Sequence, residues 1–189
     1  MEQRKIQINS LIGIDPGAAG GIAVYVPSNP AATRVKVVKM PKDMAELRDF
    51  FAYYAENYRP LVFLEKLSIR PDDVTTEGGS ANLGKLYRVQ KMMANFEHLK
   101  ALVETSGIPY VMVHPLSWQT RLNLRRKGEE KADRKRRYVE VAKSIYPGIK
   151  TTLWNADALL LLHFGRVVLA NDLTWVLANL PQREQNKLF

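Results

Sequence analysis

Three carboxylates stand where a charge is costly. Asp15 closes the apolar run LIGID, Glu65 closes LVFLE, and Asp157 lies in NADALLLLHF, near the start of an apolar helical stretch. A carboxylate leaving water for such surroundings needs a partner, a proton or a metal ion. Each also has an ordinary reading. Asp before Pro-Gly is a common turn residue. Glu65 can simply mark a strand end, and Asp157 can be a first-turn acid facing the helix dipole. Taken together, the three suit magnesium, which favours hard oxygen ligands and keeps several waters. Two such ions about 3.5–4 Å apart clamp an in-line phosphoryl displacement, one activating water and the other stabilising the leaving oxygen.

The elements around them must bring the three together. Residues 6–15 and 20–26 read as two strands joined by DPGAAG, and RVKVVKM reads as a third, with Val35 and Val37 opposite Lys36 and, less cleanly, Lys39. Asp43 and Glu46 form a capping box for a helix that carries Met44, Leu47, Phe51 and Tyr54 to about Asn57. RPLVFLEKL is apolar without a break, as in a central strand buried on both faces. The polar stretch SIRPDDVTTEGGS predicts a loop. A long helix follows over about Ala81–Thr105, with Leu86, Val89, Met93, Phe96, Leu99 and Val103 as one stripe, ended by Gly107. IPYVMVHP predicts a short buried strand and LSWQTRLNL a short helix. The charged run RRKGEEKADRKRR leads into a helix at YVEVAKSIYP, and LWNADALLLLHFGRVVLAN predicts a helix buried on most faces. This order predicts an α/β protein: a mixed sheet of about five strands with helices on both faces. One domain over 1–189 is expected, with no readable pattern in about 172–189.

Composition narrows the function. The 189 residues carry 28 Lys plus Arg against 19 Asp plus Glu, a net charge of +9. Such an excess points to a polyanion, nucleic acid ahead of a membrane surface. With no cysteine there is no disulfide frame, thiol nucleophile or thiolate zinc site, and three histidines make a poor zinc set. The segment MEQRKIQIN lacks the apolar centre of a signal peptide, and ALLLLHF is too short to span a bilayer. A soluble intracellular protein without a membrane partner is expected, in a bacterium, a phage-infected cell or an organelle.

In order along residues 10–170, five segments resemble the RuvC-type Holliday junction resolvases, in their phage and organellar branch, which have a ribonuclease H-like fold. They are GIDPGAAGGIAV, LVFLEKL, SANLGKLYRVQKMMANF, IPYVMVHPLSWQTRLNL and NADALLLLHFG. The resemblance implies a magnesium-dependent endonuclease, with manganese as a substitute, acting on branched DNA as a homodimer. Paired nicks would leave 5′-phosphate and 3′-hydroxyl ends. Asp15, Glu65 and Asp157 take the places of the family's metal-binding acids. One place departs: three or four residues before the last aspartate, where the family has a further acid or imidazole, stand Trp154 and Leu153. Asn155 is the nearest polar group. Its amide oxygen could ligate weakly or hold a metal-bound water; otherwise a second ion is bound loosely or the site is impaired.

Nine basic residues fall within residues 121–137: Arg121, Arg125, Arg126, Lys127, Lys131, Arg134, Lys135, Arg136 and Arg137. Beside a site for an anionic substrate they suit phosphate contacts. In the family an important basic residue precedes the next helix. Lys131 and Lys135 both match, and Lys131 is the first choice, to stabilise phosphate charge or orient water. Lys85 and Arg88, at the head of the long helix, would face the junction. His114 and His163 read as structural, Trp118 as a packing anchor, and Met92 and Met93 as core filler.

Overall fold

The computed structural model describes residues 8–69, 71–76 and 79–185. Strands β1 (Ser10–Asp15), β2 (Gly21–Tyr25) and β3 (Val35–Lys39) come first, then helix α1 (Met44–Asn57) and β4 (Pro60–Glu65). Helix α2 (Leu83–Thr105) leads to β5 (Tyr110–Val113), followed by α3 (Pro115–Arg121), α4 (Lys131–Ile145) and α5 (Ala156–Asn171). Short helices α6 (Leu173–Asn179) and α7 (Gln182–Gln185) occupy the stretch whose pattern was unreadable. The strands form one sheet in the order β3-β2-β1-β4-β5. β2 is antiparallel to both its neighbours, β1 and β3, whereas β1, β4 and β5 run parallel to one another. This is the expected mixed five-stranded sheet. Ile6 and Gln7 of the expected first strand lie outside the described residues, as do Arg70, Glu77 and Gly78 of the loop and residues 186–189.

Helices cover both faces because the central strands are apolar on both. On one face, Ile12, Ile14, Val62 and Leu64 meet Leu47, Phe51 and Tyr54 of α1 and Phe96, Leu99 and Val103 of α2. On the other, Leu11, Leu61 and Phe63 meet Trp118 of α3, Tyr138 and Ala142 of α4, and the apolar length of α5. Asp43 starts α1 by accepting the Ala45 N–H at 2.8 Å. Gly107, at φ +72°, follows the end of α2. The expected stripe on α2 is core only in its C-terminal half. Full burial begins at Phe96, while Leu86, Leu83 and Tyr87 are exposed, the last two by 82% and 67%. The sheet and α1 cover only the later turns.

No single helix among the described residues is long and apolar enough to cross a membrane. Helices α5 and α6 reach that composition only as a pair bent by 116°, and α5 is the central core helix.

The approach of α5 to the sheet depends on Gly13. A Cβ there would lie 2.5 Å from the Leu162 nitrogen and 2.7 Å from the Ala158 oxygen, both backbone atoms of α5. With no side chain at Gly13, the helix backbone lies directly on β1. Gly165 does the same for Phe63, whose ring fills the space a Cβ would take, at 2.5 Å. Gly13→Val is therefore expected to destabilise the protein by about 1–3 kcal/mol, the usual cost of overpacking, because backbone atoms cannot rotate aside. Urea unfolding measures this. Gly148→Ala, where a Cβ meets nothing within 4 Å, is the control and should stay within about 0.5 kcal/mol of the parent.

Candidate active site

Strand parity sends the carboxylates to one place. Side chains two apart in a strand share a face, so Asp15 follows Gly13 and Glu65 follows Phe63 onto the α5 side of the sheet. β1 and β4 are parallel, with Ile14 opposite Leu64. One residue further on, Asp15 and Glu65 leave the sheet side by side. Helix α5 then supplies Asp157 from its first turn, where the helix dipole favours a negative charge.

Each acid has distinct partners. Asp15 Oδ1 accepts the Gly17 N–H at 3.1 Å. Gly20 is pressed against the same side chain: a Cβ there would lie 2.9 Å from Asp15 Oδ2 and 2.4 Å from its backbone oxygen. Glu65 Oε1 accepts the indole N–H of Trp118 at 2.9 Å. Trp118 is fully buried and meets the Tyr138 ring edge-on, centroids 5.5 Å apart. Asp157 is 8% exposed. Its Oδ2 is ion-paired with the Lys135 ammonium from α4. Its Oδ1 is buried with no hydrogen-bond partner.

The charges disturb one another. Burial raises the Asp15 carboxyl above its ordinary range and the nearby Asp157 adds to this, against the Gly17 N–H and Lys135. Burial, then Asp15, pushes Glu65 up to about 8, against the Trp118 hydrogen bond and the Lys135 charge. Glu65 therefore holds a proton near neutral pH. Among the described residues no three acidic or imidazole side chains close into a metal-binding cluster. Lys135 draws Asp157 toward α4 and Trp118 holds Glu65. The donor set nevertheless fits a hard divalent cation: all its donors are carboxylate oxygens, one of them is buried and unpartnered, and an ammonium is already drawn in among them.

No family model and no curated protein matches the chain. Solved structures do. RuvC of Thermus thermophilus in complex with a Holliday junction substrate aligns with a TM-score of 0.52 at 14% identity, over 86% of this chain and 96% of that one. A Thermus thermophilus RuvC structure aligns with a TM-score of 0.53 at 15% identity, over 85% and 95%. The fold is that of RuvC. It is a ribonuclease H-like fold, and no branch within it is distinguished at this identity.

On this RuvC-like frame some expected site residues stand elsewhere. Asn155 is not turned to the carboxylates. It is 2% exposed, its oxygen accepts the Thr152 N–H at 2.7 Å, and its amide donates to the Lys150 oxygen at 3.0 Å. The loop before α5 needs both ends of that side chain. Trp154, at the place of a further ligand, packs on Gly21, its ring 2.9 Å from where a Cβ would be. Lys131 sits exposed at the first turn of α4, and Lys135, one turn later, is the lysine that reaches the acids. α4 begins seven residues before the YVEVAKSIYP segment suggests, which puts Lys135 on a helix face.

The other cations divide. Lys85 donates to the Thr75 oxygen at 2.6 Å and the Asp72 oxygen at 3.1 Å, pinning the loop before α2. Arg88 reaches back to the Gly84 oxygen at 3.3 Å, and Arg121 is paired with Asp172 at 2.5 Å. Arg137 grips Glu129 with two nitrogens, at 2.7 and 2.5 Å, and donates to the Leu124 oxygen at 2.6 Å. Arg125, Arg126 and Lys127 line an open cavity of about 400 Å³ with Thr120 and Asn123, and Arg134 is half-buried on α4. The Trp118–Glu65 bond was hidden in the sequence, since a tryptophan spaced for packing carries no sign of its N–H.

The Glu65 shift makes stability depend on pH. Its folded value of about 8 exceeds its ordinary 4.5, so the folded state binds the extra proton. The stabilisation is complete below about pH 4.5 and is lost as pH rises through about 8. Melting scans without divalent ions should show Tm falling across that window. Glu65→Gln, which keeps an acceptor for Trp118, should flatten the fall.

Proposed function

We propose that this protein is a divalent-metal-dependent DNA endonuclease that resolves four-way junctions by paired nicks. The observation that carries the reading is the convergence of Asp15, Glu65 and Asp157 at one end of a RuvC-like sheet, with a buried Asp157 oxygen that lacks a partner. Magnesium, or manganese in its place, would be held by these three acids and would supply Lewis acidity and an activated water. The rest falls to the chain. β1 and the Gly17 N–H hold Asp15 in a fixed orientation. Trp118 keeps Glu65 aimed while it gives up its proton. The Lys135 ammonium, paired with the other Asp157 oxygen, would offset charge on a phosphate beside the acids. Arg125, Arg126, Lys127 and Arg134 fit contacts to the DNA backbone.

Two features support the junction as substrate. The RuvC structure of the same fold is in complex with a Holliday junction substrate. The N-terminal half of α2 also leaves Leu83 and Tyr87 in solvent, which suits a two-fold contact that would set two sites on opposite strands of a nearly symmetric junction. A second reading, a branched-DNA-binding protein that does not cut, is favoured by Trp154 at the place of a further ligand and by the Lys135–Asp157 pair.

Synthetic four-way junctions labelled on each strand separate the two. With magnesium, nicks are expected at symmetric positions on opposing strands. Asp15→Asn should lower the rate by about 10²-fold or more, the scale for removing one electrostatic group from a catalytic site, while junction binding persists. Binding without any nicking in magnesium or manganese would falsify the enzyme reading and leave the binding protein.

A further inference from the structure

A second concave site lies far from the carboxylates. It is a cavity of about 250 Å³ between the β2–β3 end of the sheet and the last turns of α1, and among its lining residues are Arg34, Lys36, Tyr53, Tyr54 and Tyr58. Register fixes its position. Asp15 pairs with Gly21, and Gly21 with Lys39, so the carboxylates share the Lys39 end of β3. Arg34 lies five residues away at the other end, about 17 Å of extended chain. Lys36 pairs with Val24, whose side chain belongs to the core on the α1 side. The cavity is therefore at the opposite end and on the opposite face from the acids.

Its chemistry is selective. Two cations line it and no acid does. Tyr53 is 52% exposed, although large aromatics are normally covered. Its ring stands 5.1 Å from Tyr54 and 6.2 Å from Tyr58, both edge-on, so neighbouring rings flank it while about half of its surface stays in solvent. Arg34 uses Nε on the Asn29 oxygen at 3.3 Å, a contact that orients the guanidinium. A stacking ring beside cations is the pattern that holds an unpaired nucleotide: the base stacks and the phosphate is neutralised.

We propose that this cavity binds a single unpaired nucleotide of a DNA strand, with the base on Tyr53 and the phosphate between Arg34 and Lys36. It forms a site for single-stranded DNA that does not depend on the nuclease reading.

The test uses fluorescence anisotropy with end-labelled hexathymidylate and the full chain. Tyr53→Ser should weaken binding about 10-fold, and Tyr53→Phe, which keeps the ring, should restore it; base–aromatic stacking is worth about 1–3 kcal/mol per base. Arg34→Gln with Lys36→Gln should reduce the salt slope by about 0.7, the share of the one phosphate they would hold. These side chains are exposed, and a melting scan checks that each variant is folded. Replacing Arg125, Arg126 and Lys127 with Gln should leave the Tyr53→Ser effect intact. A 5-iodouracil-bearing oligonucleotide should photo-crosslink to Tyr53 or Tyr58, read by peptide mass spectrometry. Unchanged affinity in both cavity variants, or crosslinks confined to residues 121–137, overturns the proposal. So does thymidine monophosphate binding as tightly as the hexamer, which would mark a pocket for free nucleotides.

Discussion

Three carboxyl groups in one desolvated patch are the constraint around which this end of the molecule is built. The helix dipole of α5, the Lys135 ammonium, the Trp118 N–H and the Gly17 N–H each offset part of the repulsion between Asp15, Glu65 and Asp157. The remainder is handled by a proton on Glu65. Even the packing serves the same end. Gly13 lets α5 lie on the strand that carries Asp15, and Gly20 lets the turn fold down on the Asp15 carboxylate. A side chain at either position would meet backbone atoms closer than van der Waals contact allows.

Much of this was legible in the sequence because it rests on period and punctuation. Asp15 and Glu65 end apolar runs, and two-residue alternation decides which face they share. Asp157 stands out because an acid inside ten residues of apolar helix has few structural uses. The sheet, its strand number and the helices on both faces follow from the same patterns. Asp43 was readable as a cap because capping is a local hydrogen bond.

What was not legible depends on contacts distant in sequence or on backbone needs that leave no pattern. The start of α4 was hidden because its first two turns, KADRKRR, have no apolar periodicity, so the pattern does not separate Lys135, which meets Asp157, from Lys131 one turn earlier. Asn155 invited a role at the site as the nearest polar side chain, yet the loop beside it claims both its oxygen and its nitrogen. Lys85 reads from the sequence as a helix-head cation facing a junction, and the fold adds two loop carbonyls that meet it. The stripe on α2 shows the reverse limit. Periodicity records which face of a helix is apolar, not how far along its length another surface covers that face. The tyrosine-lined cavity escaped notice for a similar reason: Tyr54 reads as one residue of a helix stripe, and nothing in the pattern links it, Tyr53 or Tyr58 to Arg34 and Lys36 until β3 brings them together.

The Arg137–Glu129 pair has an effect beyond its own ion pair. Arg137 ties down residue 129 through two nitrogens and residue 124 through the Leu124 carbonyl. Both ends of the segment bearing Arg125, Arg126 and Lys127 are thus fastened to α4, and Gly128, at φ +72°, makes the turn between them. A basic segment shaped before it meets a polyanion has less configurational freedom left to lose. On the proposed DNA-binding reading, it acts as a fixed rail: it sets how long a strand stays and along which line it lies, and diffusional encounter is left to the net charge of the molecule.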